Sequence, residues 1–317
     1  MNRYGLLAVI IAAALLAAGC AKSKATEEKA AALADTAADA AGDAAADSAA
    51  DDNTTSENEP IRKLPQELAS IPVEYFTESE YPGTLTELTY DTYESMTYDQ
   101  QTQVLHKRAI VYLPYGYTED NSYNVFYLMH GGWSNETTYL GTPEQPAVFK
   151  NVLDHAMADG KIAPMIVVCP TYNNTSGTDS SDYSLALQLT DNYHNELIGD
   201  LIPAVEGAYS TYAADTTPEG IAASRDHRAF CGFSMGSVAT WRTFQYCLDY
   251  FRYFMPSSGN LTTDGEYMAD MVRDSGHSWN DFFIFAASGT DDFAYSAFRA
   301  QVEAMAAVVV GTFRYSG

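Results

Sequence analysis

A serine in the pattern G-x-S-x-G is the feature of the sequence with the clearest chemical meaning. The run Gly232-Phe233-Ser234-Met235-Gly236 stands between a strand-like apolar segment, Ala229–Cys231, and a helix-like segment, Val238–Trp241. A tight strand-to-helix turn exposes the serine hydroxyl, and the helix N-terminus directs backbone N–H groups toward a developing anion. The flanking glycines avoid Cβ clashes in such a turn. We therefore predict that Ser234 is a nucleophile that attacks a carbonyl carbon.

A second glycine segment, His130-Gly131-Gly132-Trp133, directly follows the apolar run 123–129. A His-Gly segment after an early strand can supply one N–H group of an oxyanion hole. We expect the backbone N–H groups of Gly132 and Met235 to be the two donors. His130 could anchor this loop or act as a base, and the pattern favours an anchor. Trp133 could line the substrate pocket or simply pack.

An acidic turn, Gly289-Thr290-Asp291-Asp292, follows the strand-like segment 282–287. In the order serine, acid, histidine, an acid after a late strand is placed to orient a histidine. Two adjacent carboxylates compete for this role, and we favour Asp292, with Asp291 as its solvated neighbour. Tyr172 and Trp279 join Trp133 as candidate substrate-binding residues, because exposed aromatic rings stack on sugars.

The elements that must position these residues alternate along the chain from about residue 70. The apolar patterns predict strands, which are 88–92, 107–113, 123–129, 164–169, 228–233, 253–255 and 282–287. They predict helices over 147–158, 192–209, 235–250 and 295–309. Such alternation is typical of an α/β fold with a doubly wound, mostly parallel sheet. The irregular stretches 134–144 and 172–184 are candidate substrate loops at the carboxyl edge of the sheet.

Taken together, the run 228–236, the segment Tyr-Leu-Met-His-Gly-Gly and the turn Gly-Thr-x-Asp resemble the putative-esterase superfamily. Within it, the chain is most similar to the feruloyl and acetyl xylan esterases. The similarity covers roughly residues 85–315. It implies an α/β-hydrolase fold and a Ser-Asp-His triad in which Ser234 and Asp292 take two of the places. It also implies oxyanion donors at the positions that match Gly132 and Met235.

The sequence departs from this family at the catalytic histidine, which should follow the acid in a Gly-x-His-type turn. The chain has six histidines, at positions 106, 130, 155, 194, 227 and 277, and none follows Asp292. His277 lies in a Gly-His-Ser segment but precedes the acid. Without a base, a serine hydroxyl is a poor nucleophile near neutral pH. We therefore expect the fold to be C-terminally incomplete and the native enzyme to continue for ~40–60 residues, enough for a last strand, the histidine loop and a helix.

The N-terminus predicts export. Arg3 and the apolar run 6–16 resemble a signal peptide over residues 1–20, and the apolar run is too short to span a bilayer comfortably. Ala17-Ala18-Gly19-Cys20 resembles a bacterial lipobox, so we expect Cys20 to be lipidated and to hold the protein at the cell surface or membrane. An ordinary secretory signal is the alternative. Residues 21–65 are predicted to form a disordered, Ala- and acid-rich tether, and 66–317 the hydrolase domain.

The strongly acidic composition excludes some classes of binding partner. The formal net charge is −25, with 17 basic and 42 acidic residues. This argues against nucleic acid and against docking on anionic lipid, which both need clustered Lys and Arg. The four cysteines have no metal-site spacing, and we expect neither a metal nor an organic cofactor.

The predicted function is hydrolysis of extracellular carboxylic esters by a serine enzyme. Feruloyl or acetyl esters of plant cell-wall polysaccharide are the expected substrates. Two alternatives stay open at this point. One is a non-catalytic, glycan-binding surface lipoprotein with a degenerate hydrolase fold, and the other is an acyltransferase. The sequence leaves the oligomeric state undetermined.

Overall fold

The computed structural model describes residues 70–308 and 313. The predicted signal peptide, Cys20 and the tether 21–65 lie outside the described residues. Within them, seven strands form one sheet in the order β1-β2-β4-β3-β5-β6-β7. The strands are β1 (Thr84–Tyr93), β2 (Val104–Leu113), β3 (Asn124–Met129), β4 (Met165–Cys169), β5 (Arg228–Phe233), β6 (Tyr253–Ser257) and β7 (Phe283–Ile284).

The sheet is mostly parallel, as the alternation of elements predicts. β3 to β7 run parallel to one another. β1 and β2 form an antiparallel pair, and β2 joins the parallel strands antiparallel to β4. β1 and β7 remain at the two edges, so the sheet is open, and the predicted α/β-hydrolase architecture is confirmed.

Helices cover both faces of the sheet. The α-helices are α1 (Val148–Ala158), α2 (Tyr183–Glu196), α3 (Ile202–Ala208), α4 (Pro218–Ala223), α5 (Met235–Tyr246), α6 (Gly265–Ser275) and α7 (Tyr295–Ala307). Successive side chains of a strand point to opposite faces. In β3, Val125 and Tyr127 therefore belong to the buried cluster that includes residues of α2 to α7, while Phe126 and Leu128 belong to the cluster that includes residues of α1. This double burial explains why β3 reads as a continuous apolar run.

β1 and β2 begin earlier than predicted, α5 ends at Tyr246, and α4 and α6 have no counterpart among the predicted helices. Two further differences have a local cause. The helical stripe predicts one helix over 192–209, but α2 starts at Tyr183 because Asp182 caps it by accepting from Leu185 N–H. A π-helical turn, Leu197–Leu201, then separates α2 from α3. The last predicted strand, 282–287, is regular only over Phe283–Ile284, although Ala287 still bridges to Ser257.

The carboxyl ends of the parallel strands meet at one edge of the sheet. His130 follows β3, Thr171 lies just beyond β4, and Ser234 follows β5. Since β3 lies between β4 and β5, the fold places the two predicted glycine motifs side by side. Among residues 70–308 and 313, no helix is long and apolar enough to cross a membrane.

Candidate active site

Ser234 occupies a strained turn between β5 and α5. Its backbone has φ 58° and ψ −118°, a conformation that non-glycine residues rarely adopt. Strain of this kind costs about 1–3 kcal/mol and persists only where the surroundings enforce it. The Ser234 N–H donates to Ser257 O of β6 at 2.9 Å, which holds the turn against the sheet. The side chain is half-buried.

The glycines of the G-x-S-x-G motif are required by close backbone contacts. A Cβ on Gly232 would lie 2.4 Å from Gly236 O, and a Cβ on Gly236 would lie 2.4 Å from Met129 O. Both distances are far shorter than van der Waals contact. Only glycine lets the turn close on itself and lets α5 start directly against the end of β3. The two glycines of the motif are therefore required by backbone packing around Ser234 as well as by the turn itself.

Two backbone N–H groups beside Ser234 have no acceptor among the residues that the structure describes. Neither Gly132 nor Met235 donates a backbone hydrogen bond within the part of the chain that the structure describes. The Met235 N–H begins α5, where the helix dipole adds partial positive charge. The neighbouring Gly131 is so close that a Cβ there would lie 3.4 Å from Ser234 Cβ. The arrangement can accept a negatively charged oxygen next to the serine.

Asp292 lies in the turn after β7, at the same edge of the sheet as Ser234. The connection runs through β6, because Ser258 N–H donates to Ala287 O at 3.0 Å. Asp292 is half-buried, and its Oδ1 accepts from Ala294 N–H at 2.8 Å, whereas Asp291 is exposed. The assignment of Asp292 as the orienting acid stays a prediction, since no histidine lies against it among the described residues.

None of the six histidines hydrogen-bonds to Ser234 in the described part of the chain. His277 lies at the opposite, amino edge of the sheet, where the segment before β7 contacts Arg252. The histidines have other partners: Asp91 for His106, Gly131 and Thr171 for His130, the ring of Tyr75 for His155, the ring of Tyr246 for His194, Asn124 for His227, and Asp249 for His277.

His130 is held in one tautomer by its hydrogen bonds. Nδ1 lies 2.7 Å from Gly131 O, which can only accept, so Nδ1 carries the proton. Since the neutral ring then has no proton on Nε2, Thr171 Oγ1 donates to Nε2 at 2.6 Å while it accepts from Asn173 N–H. Burial lowers the pKa of His130 to about 4, and the charge of Lys107 acts in the same direction. His130 is thus a neutral anchor of the glycine loop, and its two nitrogens are already engaged.

The depressed pKa of His130 predicts a pH-dependent free energy of unfolding. Between the ordinary pKa of 6.5 and the folded value of about 4, the unfolded chain binds a proton that the folded chain does not. Stability from this group is therefore complete above pH 6.5 and falls as the pH drops toward 4, by about 3 kcal/mol. Urea unfolding at several pH values, with His130→Gln as control, measures it. The difference in free energy of unfolding between the wild type and His130→Gln should shrink as the pH falls. A difference that does not change with pH would contradict a neutral, buried His130.

The three aromatic candidates are placed differently. Trp133 is 66% exposed beside the glycine loop, and its backbone N–H donates to Ser180 O at 3.0 Å. Tyr172 is fully buried and donates its hydroxyl to Gly131 O at 3.0 Å, so it presents no open face to a ligand. Trp279 belongs to the segment before β7, at the amino edge. Only Trp133 is both exposed and near Ser234.

A polar groove of about 790 Å³ lies at the same sheet edge, between β1, β2 and the loop 171–177. Its charged side chains form ion pairs and hydrogen bonds, and Arg108 is shared by Glu87 and Glu136. Asp91 Oδ1 lies 2.6 Å from His106 Nδ1, and Arg108 donates to Glu136 at 2.8 Å. The strand order places β5 three strands from β2, or about 14 Å at ordinary strand spacing. The groove therefore offers a row of hydrogen-bonding side chains at some distance from Ser234.

Sequence reasoning did not find the polar residues that support the glycine loop. Lys107 is buried in β2, where its Nζ donates to Glu196 Oε2 and to Thr171 O, both at 2.7 Å. A lysine inside the apolar run of β2 is the signal that could have indicated a buried partner. Among the described residues, no cluster of three or more His, Cys, Asp or Glu side chains could hold a metal ion.

A family model and a solved structure match the part of the chain that contains these motifs. The family model described as Putative esterase matches residues 106–263. A solved feruloyl esterase module of Clostridium thermocellum, in a Ser-to-Ala variant complexed with sinapinate, is 39% identical to the chain. The two superpose with a TM-score of 0.63, and the match covers 75% of this chain and 77% of that module.

Two curated relatives are larger proteins. Endo-1,4-beta-xylanase Y of Acetivibrio thermocellus is 45% identical over 208 residues, which are 64% of this chain. The endo-1,4-beta-xylanase/feruloyl esterase of Xylanibacter ruminicola is 28% identical over 193 residues, or 59% of this chain. The chain spans only 18% and 24% of the length of these relatives.

Proposed function

The chain belongs to the Putative esterase family, and from this premise we propose that it is a serine esterase that releases hydroxycinnamic acids of the ferulate type from plant cell-wall polysaccharide. One observation carries the proposal: strained Ser234 lies beside two N–H groups, of Gly132 and Met235, that have no acceptor among the described residues. Relatives named as feruloyl esterases and xylanases support the substrate class.

The proposed reaction has two steps. Ser234 Oγ attacks the ester carbonyl carbon, its proton passes to a base, and the carbonyl oxygen becomes an anion held by Gly132 and Met235 N–H. Collapse expels the sugar alcohol, which takes a proton, and leaves the acyl group on Ser234. Water then attacks the acyl-enzyme, releases the free acid and regenerates the serine. Asp292 would orient the base.

The base in this proposal is a histidine beyond Gly317, because the six histidines of the chain have other partners. Reading the coding DNA past codon 317 tests this part directly. A Gly-x-His-type turn in the added residues supports it, and a stop codon after Gly317 contradicts it.

The polar groove lined by Asp91 and His106 is the proposed place for the sugar part of the substrate. A polyol needs hydrogen-bonding side chains, and Asp91, His106, Asn173 and Asn174 in the lining of the groove provide them. Export with a lipid on Cys20, as the sequence predicts, would bring the enzyme to its polymeric substrate.

The decisive assay compares methyl ferulate with a feruloylated arabinoxylan oligosaccharide, using the full-length protein. We expect release of ferulate from both and little turnover of acetylated xylan. We expect Asp91→Ala/His106→Ala to lower kcat/KM about 5- to 10-fold for the oligosaccharide only, since about 1 kcal/mol of hydrogen bonding to the sugar is lost. An acetyl preference would contradict the feruloyl assignment. Equal losses of kcat/KM on both substrates would show that the sugar does not bind in the groove. Products that change when an alcohol is added in excess would indicate a transferase.

A further inference from the structure

The carbonyl group of Gly131 is held from two sides by buried side chains. Tyr172 Oη donates to it at 3.0 Å, and His130 Nδ1 donates at 2.7 Å. The two rings stack on each other with centroids 4.5 Å apart, and both residues are almost completely buried. One acceptor oxygen therefore uses both of its lone pairs within the protein.

The direction of this carbonyl fixes the direction of a predicted oxyanion donor. Gly131 C=O and Gly132 N–H belong to one peptide unit, which is planar and trans, so they point to opposite sides. Tyr172 and His130 hold the carbonyl on the interior side. The Gly132 N–H must then face away from them, toward the side on which it has no acceptor within residues 70–308.

From this geometry we propose that Tyr172 is a positioning residue, which orients the Gly132 N–H toward the oxyanion by binding the Gly131 carbonyl. The proposal rests on the proposed function of Ser234. Burial raises the pKa of Tyr172 well above its ordinary range, so the hydroxyl remains a donor at every working pH. Glycine at 131 and 132 leaves the peptide free to rotate about its neighbouring bonds, which is why an external restraint is needed.

The supporting residues of Tyr172 and His130 make the restraint rigid. Thr171 Oγ1 fixes the far nitrogen of His130, and Thr171 O accepts from Lys107 Nζ at 2.7 Å. Thr171 and Tyr172 are adjacent, so the segment that follows β4 contacts the glycine loop twice. A donor that is held before the reaction stabilises the transition state without reorganising during it.

The test is Tyr172→Phe, which removes one oxygen and keeps the ring and its stacking. We expect kcat for methyl ferulate to fall about 10-fold with KM within 2-fold, because one hydrogen bond of the restraint is lost. The affinity for a feruloyl trifluoromethyl ketone should weaken by a similar factor. This ketone mimics the anionic intermediate once Ser234 Oγ adds to its carbonyl carbon and the serine proton passes to the base. Affinity for free ferulate should stay unchanged, and a purely structural defect would not separate these readouts.

Tyr127→Phe is the matched control. Tyr127 is also fully buried, in β3, but its hydroxyl has no partner among the described residues. We expect wild-type kcat and an unchanged or slightly higher free energy of unfolding. If Tyr172→Phe behaves in the same way while Ser234→Ala is inactive, the positioning role is wrong and the proposed function stands.

A crystal structure of Tyr172→Phe gives a readout that does not depend on turnover. We expect the 131–132 peptide to rotate, or to occupy more than one orientation, and the Gly132 N–H to leave its original direction. A 131–132 peptide that keeps its orientation would overturn the positioning role of Tyr172, whether or not the wild-type protein hydrolyses esters. A wild-type protein that hydrolyses no ester would overturn the proposed function separately.

Discussion

Ser234→Ala is expected to reduce kcat for methyl ferulate by on the order of 10⁴-fold or more. The variant loses the only atom of the site that can form the acyl-enzyme, whereas the oxyanion donors and the substrate surfaces remain. Residual activity from those donors would still exceed the uncatalysed rate. Binding of ferulate should be unchanged, because alanine keeps the backbone and shortens only one side chain. Steady-state kinetics and isothermal titration on the full-length protein measure the two quantities.

Ser184→Ala is the control for this variant, since Ser184 is an exposed serine at the start of α2. It should retain full activity. Ser234→Ala should also relieve no strain, because the backbone angles of residue 234 are imposed by Gly232, Gly236 and the bond to Ser257 O. Turnover by Ser234→Ala within 10-fold of wild type would exclude the acyl-enzyme mechanism proposed for this chain.

Lys107→Met is expected to lower the free energy of unfolding by about 3–5 kcal/mol. Lys107 and Glu196 form a buried ion pair with Nζ–Oε2 distance 2.7 Å, and their side chains are 6% and 3% exposed. Methionine fills much of the space but leaves the Glu196 carboxylate buried without its counter-charge. Burial already raises the pKa of Glu196, so this carboxyl should take up a proton in the variant, and the loss should shrink as the pH falls. Urea unfolding at neutral and mildly acidic pH measures both effects.

A double variant separates the effect of the unpaired charge on stability from the effect of altered packing. Lys107→Met/Glu196→Gln removes the unpaired charge. In the wild type Tyr90 Oη donates to Glu196 Oε1 at 2.6 Å, and the glutamine side-chain oxygen can still accept this bond. Most of the lost stability should return. Lys161→Met, at an exposed lysine, should cost less than 0.5 kcal/mol. A loss below about 1 kcal/mol for Lys107→Met would mean that water or a neighbouring group compensates Glu196.

Local patterns predicted the serine turn because its causes are local. The G-x-S-x-G spacing, the apolar strand before it and the helix after it all lie within 20 positions of Ser234. The open α/β sheet and the bounds of β5 followed from the same patterns. A helix N-terminus was less predictable, since α2 begins where Asp182 caps it, well before the apolar stripe becomes regular.

The support of the glycine loop could not be predicted in the same way. Tyr172 and His130 meet because β4 and β3 are neighbours in the sheet, although 41 positions separate Tyr172 Oη from the Gly131 carbonyl it binds. Residue type made Tyr172 and Trp279 equal candidates for sugar stacking. The fold buries the first and places the second at the amino edge, and neither outcome has a signature in a single sequence.

The neighbouring position of β3 and β5 also has a consequence for biosynthesis. The two strands are joined by contacts such as that between Asn124 and His227, which are 103 positions apart. At about 5–20 residues per second, the ribosome delivers β5 about 5–20 seconds after β3. During that interval one edge of an apolar strand has no partner and can pair with another chain. This exposure ends only when β5 has been made and has paired with β3, so a chain kept unfolded until export would avoid it.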